Sequence, residues 1–109
     1  MNRVAITSYA RTPIGAFLGS LKEVPVQDLA TLAVKEAVKR SHLDPDDVDE
    51  VVLGHVMGTP EAGNIARRVA LQAGLGESTT GFTVNRICGS GIQAVVSAAQ
   101  EIQLGVSEV

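Results

Sequence analysis

The residues best equipped for chemistry lie together at positions 85–94, N-R-I-C-G-S-G-I-Q-A, where the chain's single cysteine, Cys88, is followed by Gly89, Ser90 and Gly91. Between a strand and a helix, a thiol here stands at the carboxyl end of the strand, where open α/β sheets place their ligand sites. The free N–H groups and positive dipole end of the helix's first turn stabilise an anion. A thiol beside them should therefore ionise more readily than an ordinary one, and the thiolate is the nucleophile. Gly89 and Gly91 remove side chains that would crowd a substrate and permit a sharp turn, the logic of a nucleophile elbow with sulfur in place of oxygen. Against this stands the common behaviour of free cysteine, which is buried as a small hydrophobe. A third reading takes G-S-G-I-Q-A, residues 89–94, as the G-x-G-x-x-A dinucleotide fingerprint, with Glu108 as the downstream acid. That acid belongs at the carboxyl end of the next strand, whereas Glu108 falls at its beginning.

Two histidines could serve as a base. His55 follows a strand in L-G-H-V and is the better placed to take a proton from Cys88, while His42, in the last turn of a helix, fits dipole compensation. The loop R-T-P-I-G-A-F-L-G at residues 11–19 lacks the Lys-Ser/Thr ending of a phosphate loop, so its glycines read as turn residues. One cysteine forms no internal disulfide, and with neither a CxxC pair nor a Cys/His ligand set no metal site is expected. A reducing compartment, the cytoplasm, follows as the expectation. The N-terminal apolar run is too short for a signal peptide, and no run approaches the roughly 18 apolar residues of a membrane span. Nine basic and twelve acidic residues give a net charge of −3 without a basic cluster, which argues against a nucleic-acid surface.

The elements that must position Cys88 follow from spacing. At 109 residues the chain is one domain, and with 45% hydrophobic but only 3% aromatic residues its core must be built from Ala, Val, Ile and Leu. Residues 4–9 read as a first strand. A helix from Asp28, as cap, turns Leu29, Leu32, Ala33 and Ala37 to one face; V-D-E-V-V-L-G-H-V is a second strand. Asn64 caps a second helix with Ile65, Ala66, Val69, Ala70 and Ala73 inward and Gly74 to stop it. Residues 80–86 make a third strand, and Ile92, Val95, Val96, Ala99 and Ile102 form the stripe of a third helix ended by Gly105. The order βαβαβα implies an α/β fold, a predominantly parallel sheet with right-handed crossovers and helices on both faces. V-S-E-V, at the end, looks like a fourth strand just starting, so a piece of a larger protein is expected.

At these residues the chain resembles a known family. N-R-I-C-G-S-G-I-Q-A is similar to the acyl-enzyme cysteine motif of the thiolases, the acetyl-CoA C-acyltransferases, and R-T-P-I-G-A-F-L-G is similar to their N-terminal motif. D-V-D-E-V-V-L-G, N-I-A-R with A-L-Q-A-G-L, and A-A-Q-E-I-Q-L-G follow in the family's order. The resemblance implies that Cys88 accepts the acyl group and that its backbone N–H lies in an oxyanion hole. It implies a fold of two similar βαβαβαββ halves plus a loop domain holding coenzyme A, of which residues 1–109 are an incomplete first half. The family's N-E-A-F, G-H-P and C-x-G motifs have no matching positions here, and neither His42 nor His55 stands at the family's base position. No permanently bound cofactor is implied; acetyl-CoA or a 3-ketoacyl-CoA is the substrate, and the full-length protein is a homodimer or dimer of dimers.

The implied reaction suits sulfur, because a thiolate attacking an acyl thioester forms another thioester of similar energy. Coenzyme A leaves, a second acetyl-CoA loses the proton beside its carbonyl, and the carbanion attacks the acyl-cysteine; reversed, the steps cleave a 3-ketoacyl-CoA. G-T-P-E-A-G-N-I-A-R departs from the G-Q-N-P-A-R of biosynthetic relatives and leans toward the degradative, fatty-acid side. The competing expectation is a non-catalytic piece, or one subunit of a split assembly that works only with a partner.

Overall fold

A computed structural model describes residues 1–109, the side chain of Glu61 excepted. Three helices and two strands alternate: α1 (Val26–Ser41), β1 (Glu50–Gly54), α2 (Ile65–Gln72), β2 (Thr80–Val84) and α3 (Ser90–Leu104). The strands pair in parallel, with Val52 opposite Phe82 and Gly54 opposite Val84. Strand alternation sends Val51 and Leu53 to the face covered by α2, which α1 backs, and Val52 to the face covered by α3. The sheet is therefore parallel with helices on both faces, as the element order implies.

The core is aliphatic. Ile65, Ala66, Val69 and Ala70 of α2 are each at most 1% exposed, so the inward stripe of that helix is the expected one. Ala66 sits so close to β2 that a Cβ on Gly81 would lie 3.1 Å from its carbonyl carbon. Gly74 stops the helix with φ 75°, and Gly105 ends α3 with φ 73°. Polar bonds close the amino ends of the strands. The buried Thr79 hydroxyl donates to the Val48 carbonyl at 2.7 Å, and the Arg67 guanidinium donates to the Thr79 carbonyl.

Several expectations are corrected. Residues 4–9 form no strand: a strand needs ladder partners, and among the described residues their hydrogen bonds go to helices. The Ser8 hydroxyl donates to Ala37 O at 2.6 Å, and Arg40 Nη1 donates to Tyr9 O at 2.9 Å. Val4, Ala5 and Ile6 instead line a hollow of about 260 Å³ with Val52, Ala94 and Ile102. Helix α1 begins after Pro25, leaving Asp28 inside its first turn, and its packed face runs through Ala30, Val34 and Val38, with Leu32 62% exposed. In α3 the buried residues are Ser90 and Ala94; of the expected stripe, Val95, Ala99 and Ile102 line that hollow, whereas Ile92 is 75% exposed and Val96 is also outside. His42 is the left-handed C-cap of α1 rather than part of its last turn. The third strand ends at Val84 and not at Arg86.

Asn64 precedes α2 without capping it by its side chain. Its amide donates to Gly81 O at 2.8 Å, and its carbonyl accepts from the Thr83 hydroxyl at 2.8 Å; that hydroxyl in turn accepts the Ala66 N–H at 3.2 Å. Thr83 thus satisfies a first-turn donor of α2 from the neighbouring strand. The bonds Thr80 N–H to Asp49 O and His55 N–H to Val84 O fix the ladder's alternation. Main-chain groups of residues 80, 82 and 84 therefore face β1, and those of Gly81 and Thr83 face the open edge.

At the other end of the chain, the Asp49 carboxylate accepts the N–H groups of Glu108 and Val109 at 2.7 and 3.2 Å, which holds its pKa below the usual carboxylate value. A depressed pKa contributes stability that is present above the unfolded value, about 3.9, and is lost as pH falls through the folded one. The melting temperature of wild type should therefore exceed that of Asp49→Asn at neutral pH, with the gap closing below about pH 4. A pH-independent gap would mean that the charge is not what holds residues 108–109. A second expectation concerns Gly54, where an added Cβ would lie 2.7 Å from the backbone C and O of Ser90. Denaturant titration of Gly54→Ala should show a loss of about 1–3 kcal/mol, the usual cost of overpacking.

Candidate active site

The cysteine turn is built from three successive constraints. Asn85, the first residue after β2, accepts the Ile87 N–H on its side-chain carbonyl at 3.0 Å, an Asx turn that starts the reversal. Ile87 then takes φ 49°, a left-handed conformation that costs a β-branched residue about 1–2 kcal/mol. Ser90 closes the turn: its hydroxyl accepts the Arg86 N–H at 2.9 Å and donates to the Ile87 carbonyl at 2.7 Å, while its own N–H reaches the same carbonyl at 3.1 Å. The sharp bend is therefore carried by Ile87. Gly89 has an ordinary φ of −88°, which corrects the expectation that the glycines make the turn. Gly91 does leave open space, since a Cβ there would meet nothing within 4 Å.

What the turn presents is Cys88, free and exposed, at the amino end of α3 and the carboxyl end of β2. In this chain it is not packed as a core residue. Among the described residues its N–H makes no hydrogen bond. Arg86 is held alongside, its guanidinium bonded to Gln93 Oε1 at 2.5 Å, and Gln93 passes the chain on to the Ser97 hydroxyl at 3.1 Å.

The other candidate residues are spread over the molecule. His55 follows β1 at the same end of the sheet, its backbone N–H on Val84 O at 3.0 Å, but among the described residues its ring makes no hydrogen bond. His42 follows Ser41, which lines a hollow with Val48, Glu50 and Val109 at the amino ends of the strands, away from Cys88. Glu108 is at that same far end, its N–H on Asp49, so it cannot serve a fingerprint beginning at Gly89 and the dinucleotide reading falls. Residues 11–13 of the R-T-P-I-G-A-F-L-G loop lie against Leu32, Ala33 and Glu36 of α1 rather than against the cysteine. Among the described residues no group of three or more His, Cys, Asp or Glu is arranged to hold a metal ion. None of the helices is long and apolar enough to cross a membrane.

Sequence reasoning missed Asn85, Ser90 and Gly54 as the parts that build the site. Asn85 two residues before a bend is a legible Asx signal. Ser90 acts partly through local bonds to Arg86 and Ile87, but Gly54 carries no local signal, because it matters through its approach to Ser90, 36 positions further along the chain.

A family model for the thiolase N-terminal domain matches residues 4–109. Acetyl-CoA acetyltransferase 2 of Arabidopsis thaliana is 47% identical over 106 residues, covering 97% of this chain and 26% of that protein. The crystal structure of the Bacillus anthracis acetyl-CoA acetyltransferase matches at a TM-score of 0.91 and 50% identity, over 94% of this chain and 26% of that one. Acat5 thiolase from Ascaris suum, in complex with coenzyme A, matches at 0.90 and 34% identity, over 94% and 27%. The chain spans about a quarter of the length of these relatives. With a thiolase N-terminal domain match across nearly all of its residues and a fold shared with solved thiolases at this identity, the chain belongs to the thiolase family.

Proposed function

We propose that this chain is the cysteine-bearing part of an acyltransferase that forms or cleaves the carbon–carbon bond of a 3-ketoacyl-CoA, and that Cys88 carries the acyl group. The observation behind this reading is the exposed thiol on a braced strand–turn–helix with a free N–H beside it, in a chain of the thiolase family. In the first half-reaction the Cys88 thiolate bonds to the acyl carbonyl carbon. The carbonyl electron pair moves to oxygen, where the Cys88 N–H stabilises it. Collapse of that oxyanion breaks the bond to coenzyme A, which leaves as a thiolate and takes a proton. In the second, the carbanion of acetyl-CoA attacks the acyl-cysteine and returns the thiolate. The base that makes the carbanion is assigned to the rest of a longer parent protein, together with most of the coenzyme A contacts; a cytoplasmic home belongs to the same reading.

Incubating the parent protein with acetyl-CoA and mapping its peptides should place the acetyl group on Cys88. In Cys88→Ala the label should vanish and turnover fall by more than about a thousandfold. Label that survives Cys88→Ala would sink the assignment. The isolated 109-residue chain should not thiolyse acetoacetyl-CoA; turnover by it alone would overturn the division of labour.

The open edge of β2 supports a second element of the proposal, a two-fold dimer in which this strand pairs antiparallel with its copy, next to the two cysteine turns. Thr83→Pro removes an outward-facing N–H and should shift the parent protein toward monomer in sedimentation. Because the Thr83 hydroxyl also caps α2, Thr83→Val is the control: it should stay dimeric while losing about 1 kcal/mol of stability. A monomeric wild type, or a folded Thr83→Pro that remains fully dimeric, refutes the seam.

A further inference from the structure

The carbonyl of Ile87 and the N–H of Cys88 belong to one peptide unit, which is trans and planar. Whatever holds the carbonyl therefore aims the N–H to the opposite side. Two donors hold it, and both come from Ser90: the hydroxyl at 2.7 Å and the backbone N–H at 3.1 Å. The same hydroxyl is itself fixed, accepting the Arg86 N–H at 2.9 Å, so its donor direction is set by the end of β2. Ser90 is only 5% exposed and its backbone rests on Gly54, so water has little access to take over either bond. The N–H aimed by this arrangement has no partner of its own among the described residues.

We infer that Ser90 is a positioning residue: its hydroxyl fixes the plane of the Ile87–Cys88 peptide and so points the Cys88 N–H at the oxygen of an acyl group being transferred to Cys88. This rests on Cys88 as the acyl acceptor and adds what sets the direction of its oxyanion donor. An alternative role, mere compensation for the strained Ile87, makes a different prediction. If the hydroxyl only offsets the left-handed backbone, then a glycine at position 87 makes it dispensable. If it orients the peptide plane, glycine does not replace it, because glycine adds freedom and no donor.

The test is single-turnover acetyl transfer from acetyl-CoA to Cys88 in the full-length parent protein, with iodoacetamide alkylation of the same thiol measured in parallel. Losing an oxyanion donor outright costs on the order of 10²–10³ in rate; a misaimed donor should cost less, so Ser90→Ala is expected to acylate about tenfold more slowly at saturating acetyl-CoA. The half-saturating concentration should hold, alkylation should stay within about twofold, and Ser90→Thr should restore the rate. Ile87→Gly secures the fold for comparison: adding Ser90→Ala to it should still slow acylation about tenfold while the melting temperature recovers toward wild type. Equal rates for Ile87→Gly with and without Ser90→Ala, or acylation and alkylation falling together, overturn the positioning role. Cys88→Ala separates the two failures. Label persisting there removes the acyl-cysteine reading itself, whereas label lost there with Ser90→Ala at full speed removes only the role of Ser90.

Discussion

The seat of α3 on β1 is the contact on which the rest of the site depends. Ser90 approaches the bare Cα of Gly54 so closely that no side chain fits between them. Because Gly54 pairs with Val84, that single approach fixes the start of the helix relative to both strands at once. The five residues between Val84 and Ser90 must then bridge a set distance with a set reversal of direction. A relaxed turn is not the one found. The left-handed Ile87 is the result, held by bonds on both sides of the residue: Asn85 on its N–H and Ser90 on its carbonyl. Strain at such a position persists only where the surroundings over-determine it.

The two ends of the sheet are built on different principles. At the amino ends, polar side chains join the chain: Thr79 to Val48, Arg67 to the segment before β2, Asp49 to residues 108–109. At the carboxyl ends, Gly54 lets a helix backbone touch a strand, and few side-chain bonds cross from one strand to the other. Of the first kind, the bonds to the Asp49 carboxylate respond to pH; steric contact of the second kind does not.

How much of this was legible varies with the physics of each element. The inward stripe of helix α2 read correctly though its Asn64 cap did not, because the Ala, Ile and Val stripe is covered by both the sheet and α1, so that periodicity and burial coincide. Helices α1 and α3 are each covered on one side, and some of their large apolar residues, Leu32, Ile92 and Val96, lie on the side left open. Their apolar pattern is wider than the contacts this chain supplies, and the sequence gives no way to rank one half of a broad stripe over the other. Contiguous exposed apolar surface of this kind marks a contact with another element or chain. The first strand failed for a related reason: V-A-I-T-S-Y has the composition of a strand, but strand formation is decided by non-local partners. Of the site, the position of Cys88 between strand and helix was legible. The seat of the strain was not, since Gly89 and Gly91 signal flexibility while the demand falls on their neighbour Ile87.

The two-stranded sheet also has two open sides. Besides the outer edge of β2, the alternation that turns Val51 and Leu53 toward β2 turns the main-chain groups of Glu50, Val52 and Gly54 the other way, where only the Glu50 N–H finds a backbone partner, on Val109, among the described residues. Expressed without whatever covers these edges, such a chain offers β-templates on both flanks and apolar helix faces above them. Its solubility is then set by what covers those edges and faces, and not by the packing of the aliphatic core alone.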